Sequence, residues 1–274
     1  MPSMTDKEVL ELLNERKAKY ALSQELLESN RLEEAKKTLL ELFEMFEKIS
    51  KLNLLKVFDF TEKIECYLHF KEPKNLQKFQ KAPEPVVKYA YQLASIYLEQ
   101  DNIEKAIEYL EKALVYNPVC QYILQELVER YFSIGEYEKA YDHLLVSLEN
   151  SYTKSQLAFC YKKLGKYFSI KEKYDLAVAN YSISELYESD IYNKIEIKKI
   201  TDKVGFIKFD SANELLELFQ RENLNYGPSK KVIETITNFT INFKHINDKE
   251  NAMYLIDIIV NLTNNEEFKS LLTK

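Results

Sequence analysis

The residue types that usually carry enzyme chemistry are few in this chain and widely spaced. The histidines are His69, His143 and His245, and none has a second metal-ligating side chain at helical or loop spacing. Four glycines among 274 residues cannot build the glycine-rich loop that cradles a phosphate. Adjacent carboxylates such as Glu33 and Glu34 fall in the first turns of predicted helices, where they favour the helix dipole. These patterns predict a chain that is not an enzyme and holds no metal or cofactor.

Composition narrows the partners and the compartment that we expect. Cys66, Cys120 and Cys160 are odd in number and far apart, which predicts free thiols in a reducing compartment. The formal net charge is −6, and basic residues are interspersed with acidic ones. Because nucleic-acid binding needs a clustered basic face, we expect no nucleic-acid partner. The sequence has neither an apolar run that could cross a bilayer nor a signal-peptide pattern at its start, so we expect a cytoplasmic protein without a membrane partner.

A single pattern, repeated three times between residues 87 and 188, organises the chain. Each copy combines small and large apolar residues in the same order. The copies read Leu93, Ala94, Tyr97, Ala106, Leu110 and Ala113; then Leu127, Val128, Tyr131, Ala140, Leu144 and Ser147; then Leu164, Gly165, Phe168, Ala177, Tyr181 and Ser184. Ala106 and Ala140 are 34 residues apart, and Ala140 and Ala177 are 37 apart.

This spacing predicts two antiparallel helices in each copy. Small residues such as Ala94 and Ala106 lie where two helix backbones approach closely, and the large residues fill the space between the helices. Polar turns join the paired helices at residues 99–102, 133–136 and 171–173. Because no single pair can bury its apolar stripe alone, the pairs must stack. With 4 Gly and 6 Pro in the whole chain, we expect helix almost throughout.

The 34-residue period and its residue order resemble the tetratricopeptide repeat. The resemblance implies an all-α fold, a right-handed superhelical array of antiparallel helix pairs. The chain also resembles bacterial tetratricopeptide proteins of undefined function, on the strength of three segments at residues 116–119, 225–229 and 266–269. That resemblance implies the fold and brings no activity with it.

The flanks of the three copies predict four regions. Residues 1–50 form a helical hairpin, a degenerate repeat or a cap, in which Thr5 and Glu8 make a capping box. Residues 51–86 form an irregular helical connector. One short helix in it ends at Pro73, and a second runs from Asn75 to Lys81. Residues 87–190 hold the three copies, and 191–274 add helices that include a further repeat-like unit at 233–266.

The N-terminal hairpin carries a strongly amphipathic stripe that has two interpretations. Leu39, Leu42, Phe43 and Phe46 share one face of its second helix. The stripe either packs on the next helix of the same chain or forms the seam of a homodimer.

The family resemblance also implies a concave groove lined by the first helix of each copy. Carried onto this chain, the groove residues are Lys88, Tyr91, Gln92 and Ser95; Tyr122, Gln125, Glu126, Glu129 and Phe132; and Phe159, Lys162, Lys163 and Lys166. One subfamily grips a C-terminal carboxylate with basic and amide side chains at fixed groove positions. Here Tyr91, Ser95 and Glu126 occupy such positions and only Lys163 is basic, so we do not expect that clamp.

Two functions are open on this basis. The first is a non-catalytic protein-interaction module or scaffold that binds a peptide segment of a partner, with Tyr91, Tyr122, Phe132 and Phe159 as flat anchors. The second is a peptide-sensing regulator related to bacterial pheromone receptors, which residues 1–50 disfavour because they lack a basic recognition helix. The lysines of the third copy either contact an anion on the peptide or pair with acidic residues of the neighbouring inner helix.

Overall fold

A computed structural model describes residues 6–50, 56–76, 79–209 and 211–273. The fold is all-α, as the sequence predicts. The helices are α1 (Asp6–Glu28), α2 (Leu32–Ser50), α3 (Lys63–Phe70), α4 (Val86–Glu99), α5 (Ile103–Tyr116), α6 (Gln121–Ser133), α7 (Tyr137–Glu149), α8 (Lys154–Ile170), α9 (Tyr174–Tyr187), α10 (Ile191–Val204), α11 (Ala212–Arg221), α12 (Lys230–His245), α13 (Lys249–Thr263) and α14 (Ser270–Thr273). Within the described ranges the only strands are β1 (Val57–Phe58) and β2 (Gln80–Lys81), which pair in parallel.

The chain divides into two compact units, each built from two stretches of sequence. The first unit comprises Met1–Thr61 and Lys78–Pro118, and the second comprises Glu62–Gln77 and Val119–Lys274. The first repeat copy, α4 and α5, therefore belongs to the first unit. The second copy (α6 and α7) and the third (α8 and α9) belong to the second unit.

In the first unit, the N-terminal hairpin packs on the first repeat copy. The stripe on α2 is buried, with Leu39 and Leu42 at 0% exposure and Phe43 and Phe46 at 1% and 2%. The Phe43 ring meets the Tyr109 ring edge-on, with 5.7 Å between the centroids. The stripe is therefore core, and the alternative of a dimer seam on it is wrong because the same chain already covers these side chains.

The connector of the first unit fixes the start of α4. The Asp59 carboxylate accepts a hydrogen bond of 2.8 Å from the Val87 N–H, so it satisfies one of the N–H groups that a helix start leaves unpaired. Glu84 forms a buried ion pair with Arg16 of α1, and the Tyr89 hydroxyl donates to the same carboxylate at 3.1 Å. These contacts tie the N-terminal hairpin and the connector to the first copy.

The structure corrects one predicted element of the connector. A short 3-10 helix occupies Pro73–Asn75 and a strand occupies Gln80–Lys81; the predicted helix from Asn75 to Lys81 is wrong. The strand forms because the backbone at residues 80–82 pairs with that at 56–58, a contact that no local pattern announces. The predicted cap at Thr5 lies outside the described residues.

In the second unit, α7 packs on α8 and α9 packs on α10. In the third copy, position 165 has room only for a residue without a side chain. A Cβ atom added to Gly165 would lie 2.7 Å from the Tyr181 ring, closer than packed carbon atoms tolerate. The Tyr181 ring therefore fills the space that an alanine methyl group would take.

The C-terminal helices fold onto the second and third copies. The Phe219 ring of α11 meets the Tyr161 ring edge-on, with 6.2 Å between the centroids. The Ser229 hydroxyl accepts from the Val232 N–H at 3.1 Å and caps α12. The helix pair predicted at 233–266 corresponds to α12 and α13. Its neighbour is α3, because Tyr67 stacks on Phe239 with 4.5 Å between the rings.

Candidate binding face of the second unit

Two adjoining pockets open on one face of the second unit, formed mainly by α8, the second half of α9 with the turn after it, and α10, with Gln125 from α6. We call this surface the inner face. The first pocket has a volume of about 280 Å³ and is lined by Gln125, Ser155, Ala158, Phe159, Lys162, Ser184, Glu188, Ser189 and Asp190. The second has a volume of about 340 Å³ and is lined by Lys162, Lys163, Lys166, Tyr181, Tyr192, Asn193 and Glu196. Lys162 lines both pockets and lies on the boundary between them.

Helix α8 contributes most of the predicted residues on this face, and its start is well defined. The Thr153 hydroxyl accepts from the Gln156 N–H at 3.2 Å, and the Gln156 side chain accepts from the Thr153 N–H at 3.1 Å. This capping box fixes the first turn of α8. Phe159, Lys162 and Lys166 follow at helical spacing and line the pockets, as does Gln125 of α6.

Lys162 is held by an ion pair with Asp190, the N-cap residue of α10. The distance from Lys162 Nζ to Asp190 Oδ2 is 3.0 Å. Asp190 Oδ1 accepts from the Tyr192 N–H at 2.9 Å. The Tyr192 N–H, together with Lys162, holds the pKa of Asp190 below its ordinary value. The carboxylate is therefore charged at neutral pH and is anchored independently of Lys162.

Lys163 is not the open anion contact that the sequence predicts. Its ammonium pairs with Glu129 of α6, and its side chain is 12% exposed. Burial lowers the pKa of Lys163, and this effect outweighs the opposing effect of Glu129. For this lysine, the alternative of pairing with an acidic residue on the neighbouring inner helix is the correct one.

Lys166 is exposed and lies over an aromatic ring. Its Nζ atom is 4.8 Å from the centroid of the Phe132 ring, within the range of a cation–π interaction. Phe132 itself is 6% exposed and packs near Tyr137, with 5.9 Å between the ring centroids. The prediction of Phe132 as an exposed flat anchor is therefore wrong; the ring supports Lys166 instead.

Helix α10 adds pocket residues that the sequence analysis did not single out. Tyr192 is 68% exposed beside the second pocket. Asn193 is fully buried, and its Nδ2 donates to Ser184 Oγ and to Glu185 Oε1, both at 3.0 Å. These residues follow the third copy after a short turn between α9 and α10. That turn is the sequence signal that a further inner helix lies next to α8.

The predicted groove residues of the first unit take part in its own packing. Gln92 exchanges two hydrogen bonds with Gln24 of α1, at 2.8 and 3.2 Å. The Lys88 ammonium lies 5.8 Å from the centroid of the Tyr20 ring. The Ser95 hydroxyl donates to the carbonyl of Tyr91 at 3.0 Å. These side chains contact α1 or their own helix.

The remaining predicted residues lie on α6. Tyr122 is 36% exposed. Glu126 forms an ion pair with Arg130 one turn further along the helix, with 3.6 Å between Oε2 and Nη2. Both are thus on the surface of the second unit, while the pocket lining from this helix comes from Gln125.

On another side of α7 and α8, the chain's own residues make hydrogen bonds to both helices. The Tyr161 hydroxyl donates to the Asn225 carbonyl at 2.8 Å and accepts from the Gly227 N–H at 2.7 Å. The Ser229 hydroxyl donates to the Glu149 carbonyl at 2.6 Å. In the second unit, the segment between α11 and α12 thus occupies the side of these helices that lies away from the pockets.

Among the described residues, no group of three or more His, Cys, Asp or Glu side chains is arranged to hold a metal ion. No helix in the described ranges is long and apolar enough to cross a membrane.

The antiparallel helix pairs, with small residues at their close approaches, define an all-α repeat protein of the α-solenoid class. The tetratricopeptide repeat family model matches residues 87–120, which hold α4 and α5. The chain is therefore a tetratricopeptide repeat-containing protein. Proteins with such repeats generally act as interaction scaffolds and not as catalysts.

No curated protein sequence matches the chain. A solved structure described as the functional characterization of Pseudomonas aeruginosa PilF is 15% identical with a TM-score of 0.46, and the alignment covers 95% of this chain and 98% of that one. A likeness at this level carries no argument about function.

Proposed function

We propose that this chain is a non-catalytic scaffold that binds a peptide segment of a protein partner on the inner face of the second unit. The segment lies along α8, between α6 and α10, and crosses both pockets. Half-buried Phe159 in the first pocket and exposed Tyr192 in the second are the flat anchors, because accessible aromatic rings offer a large contact area at a small entropic cost.

The observation that carries this proposal is the difference between the two sides of the same helices. On the inner face, about 280 and 340 Å³ of open pocket adjoin along α8. On the opposite side, the Asn225–Ser229 turn makes hydrogen bonds to Tyr161 and Glu149. A further pocket of about 350 Å³ lies on this side between α7 and residues 223–225, and no aromatic residue lines it. Of these three pockets, the two on the inner face are the ones that combine aromatic and charged side chains.

The experiment selects ligands and then locates them. Random peptide segments, displayed internally so that no free C-terminus is offered, are selected on the full chain. Binding of the selected segments is then measured by fluorescence anisotropy for the wild type, Phe159→Ala and Tyr192→Ala. Ile246→Ala is the matched control, because Ile246 is an exposed apolar residue of the same unit (63%) that lines neither pocket.

We expect each of the two aromatic variants to weaken binding by about 1–2 kcal/mol or more, as truncated interface anchors do. The control variant should bind as the wild type does. Selected segments that bind all four proteins equally would contradict the proposal, and so would a selection that yields no binding segment.

A further inference from the structure

The charges on the inner face point to the chemistry of the bound segment; this inference rests on the proposed function. We infer that the segment is acidic, and that one of its carboxylates replaces Asp190 as the partner of Lys162. Movement of Lys162 toward the ligand joins the two pockets into one trough. A second carboxylate of the segment pairs with Lys166.

Helix α8 presents three lysines on the inner face, and two of them have carboxylate partners. Lys163 is neutralised by Glu129 and Lys162 by Asp190. In the part of the chain that the structure describes, no carboxylate lies within ion-pairing distance of Lys166. Glu196, the carboxylate that lines the same pocket, pairs with Lys199 at 2.6 Å. Glu188 adds an exposed carboxylate to the lining of the first pocket. The second pocket therefore presents one positive charge, on Lys166, that a ligand can neutralise.

Lys162 can exchange its partner Asp190 for a ligand carboxylate at low cost. Its side chains are 36% and 25% exposed, so water screens the attraction between them. Asp190 keeps its partners when Lys162 leaves, because its Oδ1 accepts from the Tyr192 N–H at 2.9 Å and its own N–H donates to Glu185 Oε1 at 2.7 Å. Lys162 is the movable member, since its long side chain lines both pockets.

The spacing of Lys162 and Lys166 suits an extended ligand. Lys162 and Lys166 are one helical turn apart on the same side of α8, so their Cβ atoms are about 5–6 Å apart. Alternate residues of an extended chain are separated by about 6.6 Å and project on the same side. An extended segment with acidic residues at alternate positions can therefore place one carboxylate on each lysine.

The test uses the segments selected on the wild type and three variants that alter one charge each. Asp190→Asn keeps the N-cap of α10, since asparagine also caps well, but removes the negative charge that competes for Lys162. Lys166→Met removes the unpaired positive charge. Lys198→Met is the control, because Lys198 is an exposed lysine of α10 that pairs with Asp202 and lines neither pocket. Thermal unfolding confirms that each variant is folded.

We expect the selected segments to be enriched in Asp and Glu at alternate positions. Asp190→Asn should bind them about two- to fivefold more tightly, which is the range of a partly exposed ion pair. Lys166→Met should bind them about fivefold more weakly, and the wild-type affinity should fall as salt is added. Lys198→Met should not change the affinity.

The outcomes separate this inference from the proposed function. Segments that depend on Phe159 and Tyr192 but show no acidic enrichment overturn the inference and leave the proposed function intact. Acidic segments whose affinity is unchanged by Lys166→Met and lowered by Asp190→Asn overturn it as well. Segments that are indifferent to the two aromatic residues overturn the proposed function itself.

Discussion

The inner helices of the first and third repeat copies, α4 and α8, use equivalent positions differently. Gln92 of α4 and Lys163 of α8 have the same role, because each reaches the preceding inner helix, the first through Gln24 and the second through Glu129. Four residues earlier the roles diverge. Lys88 lies against the Tyr20 ring, whereas Phe159 lines an open pocket. Repeat position thus predicts which residues join neighbouring helices, but not which residues are left for a ligand.

The two copies also solve the same packing problem with different residues. The first copy has Ala94 and Leu110 at the positions where the third has Gly165 and Tyr181. In the third copy, the Tyr181 ring lies where a Cβ atom on residue 165 would be, 2.7 Å away. A larger residue on the outer helix therefore goes with a smaller one on the inner helix.

The largest effect that we expect concerns the hairpin that covers the first copy. Phe43→Ala should destabilise the chain by about 3–5 kcal/mol, because a fully buried phenylalanine leaves a cavity between α2 and α5. Denaturant unfolding measures the change. Leu22→Ala is the control, since Leu22 lies in the same hairpin and is 47% exposed. An equally small loss for both variants would mean that the hairpin does not pack on the first copy.

The packing difference between the copies can be tested by exchange. Gly165→Ala should destabilise the chain by about 1–3 kcal/mol, because the added methyl group collides with the Tyr181 ring. Adding Tyr181→Leu reproduces the combination found in the first copy and should recover part of that loss. The free energy of unfolding is measured for the two single variants and the double variant. If the double variant lost more stability than the two single variants lose in sum, Gly165 and Tyr181 would not compensate for each other.

A smaller effect separates the packing residue from the pocket residue. Gln92→Ala should lower the free energy of unfolding by about 1 kcal/mol, because it removes the two hydrogen bonds with Gln24. It should leave the affinity for selected peptide segments unchanged. Phe159→Ala should do the reverse, with weaker binding and nearly unchanged stability. If Gln92→Ala weakened binding, the ligand would extend to the face of α4.

The smallest expected effect is the pH dependence that Asp190 contributes. Because its pKa is lowered in the folded state by the Tyr192 N–H and Lys162, its stabilising contribution is complete above the ordinary value of 3.8 and is lost as the pH falls through the folded value. The stability advantage of the wild type over Asp190→Asn should be about 0.5 kcal/mol at neutral pH and should be lost as the pH falls below 3.8 and through the folded value. Unfolding curves at several pH values measure it, and a constant difference would exclude a titration of Asp190.

Sequence patterns predicted the local elements well. The breaks at residues 99–102, 133–136 and 171–173 separate paired helices as expected. These signals are local, since a cap or a turn depends on residues three or four apart. The strand pair of residues 57–58 and 80–81 was missed because its partners are far apart in the sequence.

The candidate site was predicted in part, for a reason of the same kind. Phe159, Lys162 and Lys166 were found because the repeat register places them on one side of an inner helix. Asp190 and Tyr192 were missed because α10 lies beyond the three recognisable copies. Phe132 was assigned to the open surface because its burial depends on Tyr137 and on Lys166 of the next inner helix.

The sequence alone determined the helix pairs, their 34-residue spacing and the small residues at close approaches, because these follow from side-chain size and helical periodicity within a few turns. Only the tertiary structure decided which face stays open. That choice depends on contacts such as the hydrogen bond of Ser229 to Glu149, which joins residues 80 positions apart. Such contacts form when a distant segment happens to match a surface in shape and hydrogen-bonding groups, and no local periodicity encodes that match.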